Sequence, residues 1–386
     1  MVKRKRNYCH CWGDQLNDDV AVEIAKKIKL YEDFTAFRGV CSLWRSAIVI
    51  QDHFRFMSTQ IPMLLLPATK TSTTCDFFSL SRNMSRQIEL PEIHNKKYFS
   101  SKGWLITISK YLRISMLHPF TRCRLHIKLP PIHAFKYWKL ELPLASTRMV
   151  YAYDFIHKCV LSSNPSSTSD YTVMVIFGYM EKLGFARSGD KAWTTIDTWT
   201  APYSDVTYYK GMFYATNNLY EIMACDVRGD DPTIAQEVTQ MPSDLSKRGC
   251  GGKLYILESA GALLVVERKR VNSYIFHFRV FELDVSTNIT GWREIKSLGN
   301  RALFLCKSCS LSIETTHTAS HYCRPNCIYY IKDDAEHPGF IHFPKRQGRA
   351  KYMGVYDMQS GRVEPYFCSD DSHDSLNPLM WVEQSF

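Results

Sequence analysis

About sixty residues into the chain the hydrophobic pattern changes period, and it does not change back. From residue 17 to about residue 51 apolar side chains recur every three to four positions. Beyond residue 60 they alternate or run on in short stretches, over 103–109, 172–179, 206–216, 252–257, 263–267, 274–283, 302–305 and 327–331. A period near 3.6 marks helices and a period of two marks strands. Turn-forming clusters separate the runs: 162–169, Ser188-Gly189-Asp190-Lys191, Thr216-Asn217-Asn218, Asp230-Asp231-Pro232, 249–252 and Ser360-Gly361. The strand openings also recur. Gly103-Trp104-Leu105-Ile106, Lys158-Cys159-Val160-Leu161, Gly211-Met212-Phe213-Tyr214, Gly252-Lys253-Leu254-Tyr255 and Asn326-Cys327-Ile328-Tyr329 lie 55, 53, 41 and 74 residues apart. A repeat of roughly 40 to 50-odd residues holding about four short strands marks a propeller blade. A two-sheet sandwich is the alternative; it accounts for the strands but not for the recurrence. The expected fold is mainly β: a small α-helical head followed by a β-propeller of about five to six blades, the sixth completed by strands from 63 to 90 with the C-terminus.

The head reads as three helices. Asn17 is an N-cap, with Asp18 and Asp19 in the first turn, where the helix dipole favours acidic groups. Val20, Ile24 and Ile28 recur every four residues beside Ala21 and Ala25, giving one apolar stripe opposite Lys26, Lys27 and Lys29. A second helix over 31–38 carries Phe34 and Phe37, and a third over 40–50 carries Val40, Leu43, Trp44, Ala47 and Ile48. So short a unit buries little area against its ordering entropy, so an exposed stripe implies docking to a partner surface. The alternative is a bundle packed on the rest of the chain with no partner.

Composition removes several classes. The longest apolar runs, 63–66 and 261–266, are far below the roughly 18 to 20 residues of a spanning helix. Lys3-Arg4-Lys5-Arg6 is followed by no apolar stretch, so no export signal is expected; the cluster reads as a nuclear import signal or as a solvated terminus. The 13 cysteines are scattered and are read as reduced thiols of the cytoplasm or nucleus. No G-x-S-x-G, G-x-x-x-x-G-K-[ST], G-x-G-x-x-G or H-E-x-x-H pattern is present, and no catalysis is expected. Cys306, Cys309, His317, His321, Cys323 and Cys327 are zinc-ligand types, and Cys9-His10-Cys11 is a second set with a similarly weak claim. Cys306 ends an extended run, however, and residues three apart on a strand point to opposite faces; no Gly or Pro supplies a tight turn. Ordinary thiols are expected, with no metal and no cofactor. The 48 Lys and Arg against 38 Asp and Glu leave a net charge of +10. Its basic runs, 3–6, 267–270 and 345–351, are read as a tail and two solvated loops, with no nucleic-acid motif beside them.

Trp12, Leu16, Val20, Ile24, Ile28, Leu30, Asp33, Phe37, Arg38 and the closing Val40-Cys41-Ser42-Leu43-Trp44-Arg45 resemble an F-box. One departure is Leu16-Asn17 where the family has Leu-Pro; Asn caps a helix as Pro starts one, but adaptor affinity is expected to fall. The resemblance implies that Leu16, Val20, Ile24, Ile28, Phe34, Phe37, Val40, Cys41, Trp44 and Arg45 dock the Skp-type adaptor of a cullin ubiquitin ligase. The body is similar to the kelch-like domain of plant F-box proteins of the KIB type. It shares Pro62-Met63-Leu64-Leu65-Leu66-Pro67, Phe77-Phe78-Ser79-Leu80, Ser101-Lys102-Gly103-Trp104-Leu105, Leu117-His118-Pro119-Phe120-Thr121, Ala186-Arg187-Ser188-Gly189-Asp190 and the stretch 205–214. His118 stands where many members have Asn. The resemblance implies a basic N-terminus over 1–11, an F-box over 12–56 and a substrate-capturing propeller over 57–386. Its partners would be the adaptor, cullin through it, and a target protein that the sequence does not identify, with no membrane and no nucleic acid.

Overall fold

Runs of five or six consecutive apolar residues have to be covered on both faces, and in this chain they become the interior strands of a ring of sheets. The computed structural model describes residues 17–28, 31–46, 60–66, 73–120, 126–136, 138, 155–242, 252–270, 276–285, 291–315, 322–331, 353–367 and 379–384. The chain divides into two compact units, Met1–Gln60 with Phe386, and Ile61–Ser385.

In the larger unit the described strands form six sheets. The first blade holds β1 (Met63–Leu65), β2 (Thr74–Ser79) and β3 (Met84–Glu89); the second, β4 (Lys97–Ser101), β5 (Trp104–Ile108), β6 (Ile114–Leu117) and β7 (Ile127–Leu129). The third holds β8 (Ile156–Leu161), β9 (Thr172–Phe177), β10 (Lys182–Arg187) and β11 (Thr194–Thr195); the fourth, β12 (Tyr203–Tyr209), β13 (Met212–Asn217), β14 (Glu221–Cys225) and β15 (Ala235–Gln240). The fifth holds β16 (Lys253–Ser259), β17 (Ala262–Arg270), β18 (Phe276–Asp284) and β19 (Gly291–Ile295). The sixth holds β20 (Arg301–Leu305), β21 (Ser310–Glu314), β22 (Cys327–Ile331), β23 (Met353–Asp357) and β24 (Val363–Phe367). Finally β25 (Met380–Val382) runs antiparallel to β1, pairing Met63 with Val382 and Leu65 with Met380. That pairing closes the ring and protects its edges. The fold is a six-bladed propeller, in agreement with the expectation from sequence.

Burial follows strand position. β5, β9 and β22 are buried at every residue, whereas β3 is almost wholly exposed. The buried apolar side chains cluster between neighbouring blades: Phe99, Trp104 and Ile106 with Val173 and Val175, and Tyr255, Leu264 and Val266 with Leu303 and Ile328.

Four expectations are corrected. The run 206–216 is a hairpin of β12 and β13, turned at Lys210 and Gly211, whose φ values are 44° and 93°. Lys102-Gly103 (48°, 77°) and Ala260-Gly261 (50°, 78°) turn the equivalent hairpins of the second and fifth blades. Two successive positive φ angles fit the primed turns that match strand twist. The blade repeat therefore aligns Gly103, Gly211 and Gly261. The openings at Lys158 and Gly252 belong instead to first strands, and Asn326 precedes β22 of the sixth sheet. Third, Arg268, Lys269 and Arg270 end β17 and are not a solvated loop. Arg268 is buried, lies over the rings of Phe276 and Tyr255, and donates to the Ile331 carbonyl at 3.1 Å. Fourth, Cys306 and Cys309 do flank a turn: the Cys306 N–H donates to the Cys309 carbonyl at 2.9 Å. The sixth sheet is also the irregular one, with β20 parallel to β22 and β21 on its edge.

His118 makes a turn contact of the kind an Asn side chain can make. Its Nδ1 accepts the Phe120 N–H at 3.3 Å, the two-residue reach of an Asn side chain in a turn, while its ring meets Trp104 edge-on at 5.6 Å.

The smaller unit contains α1 (Asp18–Lys27), α2 (Tyr31–Gly39) and α3 (Ser42–Ser46). Asn17 caps α1, its Oδ1 accepting the Asp19 N–H at 3.3 Å. The third helix is shorter than the 40–50 expected, within the described residues.

Candidate functional site

Two places could carry function: the helices of the smaller unit and the central channel of the larger one. On α1 the apolar residues split between two faces. Ala21 and Ala25 are buried, while Val20 and Ile24 are 45% and 39% exposed, one turn apart and beside Glu23 and Lys27. Val40, between α2 and α3, is 51% exposed. Phe34 and Phe37 are buried.

Three of the residues that close the head pattern hold the unit together. Cys41 precedes α3 and its Sγ accepts the Trp44 N–H at 3.5 Å, a cap made with sulfur. The Trp44 ring stacks on Phe37 with centroids 4.3 Å apart. The Arg45 Nε donates to the Arg38 carbonyl at 3.3 Å, satisfying a group in the last turn of α2. Of the ten residues expected to dock an adaptor, Val20, Ile24, Val40 and Arg45 are exposed and Ile28, Cys41 and Trp44 partly so. Leu16 lies outside the described residues, as do Lys3–Arg6, Cys9–Cys11, His317, His321 and 345–351.

In the larger unit a cavity of about 130 Å³ is lined by β4, β8, β12, β16, β21 with the turn before it, and the residue after β25, among them Ser101, Lys158, Ser308, Cys309, Ser312 and Glu383. Sequence reasoning missed the buried contact beside it. Asp205 on β12 accepts Lys158 Nζ from β8, its own neighbour's Val206 N–H at 2.8 Å, and the Ile256 N–H of β16 at 3.0 Å. One carboxylate thus ties three consecutive blades. Lone charged residues on strands gave no signal for it. Burial raises the Glu383 carboxyl above its ordinary value, against the lowering effect of Lys102.

Cys309 stands at the same wall, with Cys306 buried behind it and the two sulfurs 3.4 Å apart. Among the described residues no group of three or more His, Cys, Asp or Glu side chains converges as a metal site would require.

On the propeller's rim, Tyr111, Tyr179 and Leu219 are 69%, 78% and 55% exposed. Each sits in the hairpin joining the second and third strands of its blade, in the second, third and fourth blades, so equivalent topology puts all three on one face.

The KIB1-4 beta-propeller family model matches residues 77–357. The Arabidopsis thaliana F-box protein SKIP23 is 26% identical over 386 aligned residues, covering 90% of each chain. At5g55150 of the same plant, which bears an F-box name, is 28% identical over 186 residues, 47% of this chain and 49% of that one. In that match the chain spans about half the relative's length. At5g60060, likewise given an F-box name, is 24% identical over 304 residues, 72% of this chain and 76% of that one.

Proposed function

The chain belongs to the KIB1-4 beta-propeller family, and on that premise we propose that it is the substrate-recognition subunit of an SCF-type E3 ubiquitin ligase. Its head, residues 12–56, docks a Skp-type adaptor and through it a cullin; its propeller, residues 57–386, captures a target protein. The observation that carries this reading is the split of the α1 apolar residues. Ala21 and Ala25 are covered, and Val20 and Ile24 are left to solvent with Val40. Burying them on a partner would contribute roughly 25 cal/mol per Å² before ordering costs are subtracted. The F-box names of the relatives support the same reading.

In this role the chain makes and breaks no bond. It holds a target beside the charged ubiquitin carrier, and acceleration comes from proximity. The adaptor contact falls to Val20, Ile24, Val40 and Arg45. Phe34, Phe37, Cys41 and Trp44 set the helices in place. The target surface is the face that carries Tyr111, Tyr179 and Leu219, and the site of action is the cytoplasm or nucleus. Asn17 in place of the family's Pro favours one other reading, a propeller scaffold without ligase coupling.

The test is co-purification of the full chain with a Skp-type adaptor. Wild type should retain the adaptor and Val20→Asp/Ile24→Asp should lose it, because both side chains are exposed and the substitution leaves the helix intact. Failure of the wild type to bind, or equal binding by the variant, would refute the docking role. Adaptor binding without ubiquitination of any trapped client would favour the scaffold.

A further inference from the structure

We propose that Cys306 and Cys309 form a reversible dithiol–disulfide site in the wall of the propeller channel, with a hydroperoxide as its oxidant. The turn between β20 and β21 builds it. The Cys306 N–H closes the turn on the Cys309 carbonyl at 2.9 Å, and Leu305 pairs with Ser310 immediately outside. A four-residue turn holds its end Cα atoms within about 7 Å, a spacing that overlaps the roughly 4.4–6.8 Å a disulfide needs. The sulfurs are already 3.4 Å apart.

The surroundings favour charge on one sulfur of the pair. Cys306 Sγ accepts the Cys309 N–H at 3.3 Å and lies 3.2 Å from the Ser308 hydroxyl. Burial pushes the Cys306 thiol up, but the bonds from Cys309 and Ser308 outweigh it and bring it down to about 6. Cys309 keeps its proton, raised by burial and by Cys306. The other isolated buried thiols behave oppositely: burial pushes Cys75 and Cys225 up to about 12. Access comes from the channel by way of Cys309: Ser308 and Cys309 line the cavity of about 130 Å³, and Cys306, itself buried, lies directly behind Cys309 with its sulfur 3.4 Å away.

The chemistry balances without further groups. The Cys306 thiolate attacks hydrogen peroxide, the O–O bond breaks, and Cys306 sulfenic acid and hydroxide form. The hydroxide takes the Cys309 proton and leaves as water. The Cys309 thiolate then displaces hydroxide from the Cys306 sulfur as the S–S bond forms. Two electrons pass from sulfur to the peroxide oxygens; a dithiol returns them. Oxidation also has a structural reader. Cys309 Sγ lies 3.1 Å from the Trp381 carbonyl on β25, the strand that closes the ring, and 3.4 Å from the Cys306 sulfur; its one proton is shared between these two acceptors, and the disulfide has no proton to give to either.

The test uses the reduced full chain at neutral pH, treated with hydrogen peroxide, alkylated and mapped by peptide mass. The 306–309 disulfide should form in folded protein at least about ten times faster than Cys75, Cys159 or Cys225 oxidises, and dithiothreitol should restore both thiols. Ser308→Ala should slow the reaction. As a measurement independent of variants, reduced wild type should retain phenylarsine oxide against a monothiol competitor and lose that capacity after peroxide. Oxidation no faster than at the three control cysteines, a disulfide seen only in denaturant, or no retained arsenical would each overturn the proposal.

Discussion

Asp205→Ala removes the carboxylate that ties β8, β12 and β16. The Lys158 side chain, 5% exposed, then keeps an ammonium in the interior without its partner; breaking a buried pair from one side costs about 3–5 kcal/mol. The Val206 and Ile256 N–H groups lose their acceptor as well, at about 1–3 kcal/mol each when nothing replaces it. These terms overlap, so the expected loss is at least about 3 kcal/mol. Urea unfolding followed by tryptophan fluorescence reads it as a lower midpoint at unchanged slope. Lys158→Met/Asp205→Asn leaves no charge and keeps one carbonyl acceptor, and should recover at least about 1 kcal/mol relative to Asp205→Ala. Asp170 supplies the control: its pair with Arg228 is exposed, 2.9 Å long, and Asp170→Ala should cost about 0–1 kcal/mol. If Asp205→Ala costs no more than Asp170→Ala, the three-blade clasp is wrong.

Ala25 is buried where Ile24 is exposed, so Ala25→Leu should overpack the head by about 1–3 kcal/mol; the far-UV helix signal on heating should fall earlier for Ala25→Leu than for Ile24→Leu. A Cβ on Gly354 would lie 2.7 Å from the Tyr330 ring, so Gly354→Ala should destabilise by about 1–3 kcal/mol, and Tyr330→Leu in the same chain should relieve part of that loss in urea titrations. Burial raises the Glu383 carboxyl above its ordinary 4.5, so the folded chain holds that proton more tightly than the unfolded one. Stability should then fall as pH rises from 4.5 through the folded value, with the loss complete above it. Glu383→Gln should remove that fall, and a pH-independent difference between wild type and variant would contradict it.

Strand interiors were legible because position in a blade and apolarity coincide: Thr172–Phe177 is buried at every residue and reads as a strand by inspection. Outer strands were not. Met84–Glu89 and Ala235–Gln240 are polar because water covers them, and polarity without alternation resembles a loop. The turn at Cys306 is not legible because it uses neither Gly nor Pro; a hydrogen-bonded four-residue turn accepts most residues. Arg268 was misread for a related reason, since charge signals solvent unless aromatic rings cover the guanidinium, as Phe276 and Tyr255 do. In the head, period alone could not separate Val20 and Ile24 from Ala21 and Ala25, which are adjacent on the same helix. Only packing decides which pair faces out.

Size-exclusion of the full chain with a Skp-type adaptor and a cullin decides whether the head couples the propeller to a ligase. All three proteins should migrate together, and Val20→Asp/Ile24→Asp should leave the chain in its own peak while adaptor and cullin still associate. Wild type running alone beside an intact adaptor–cullin complex would contradict it.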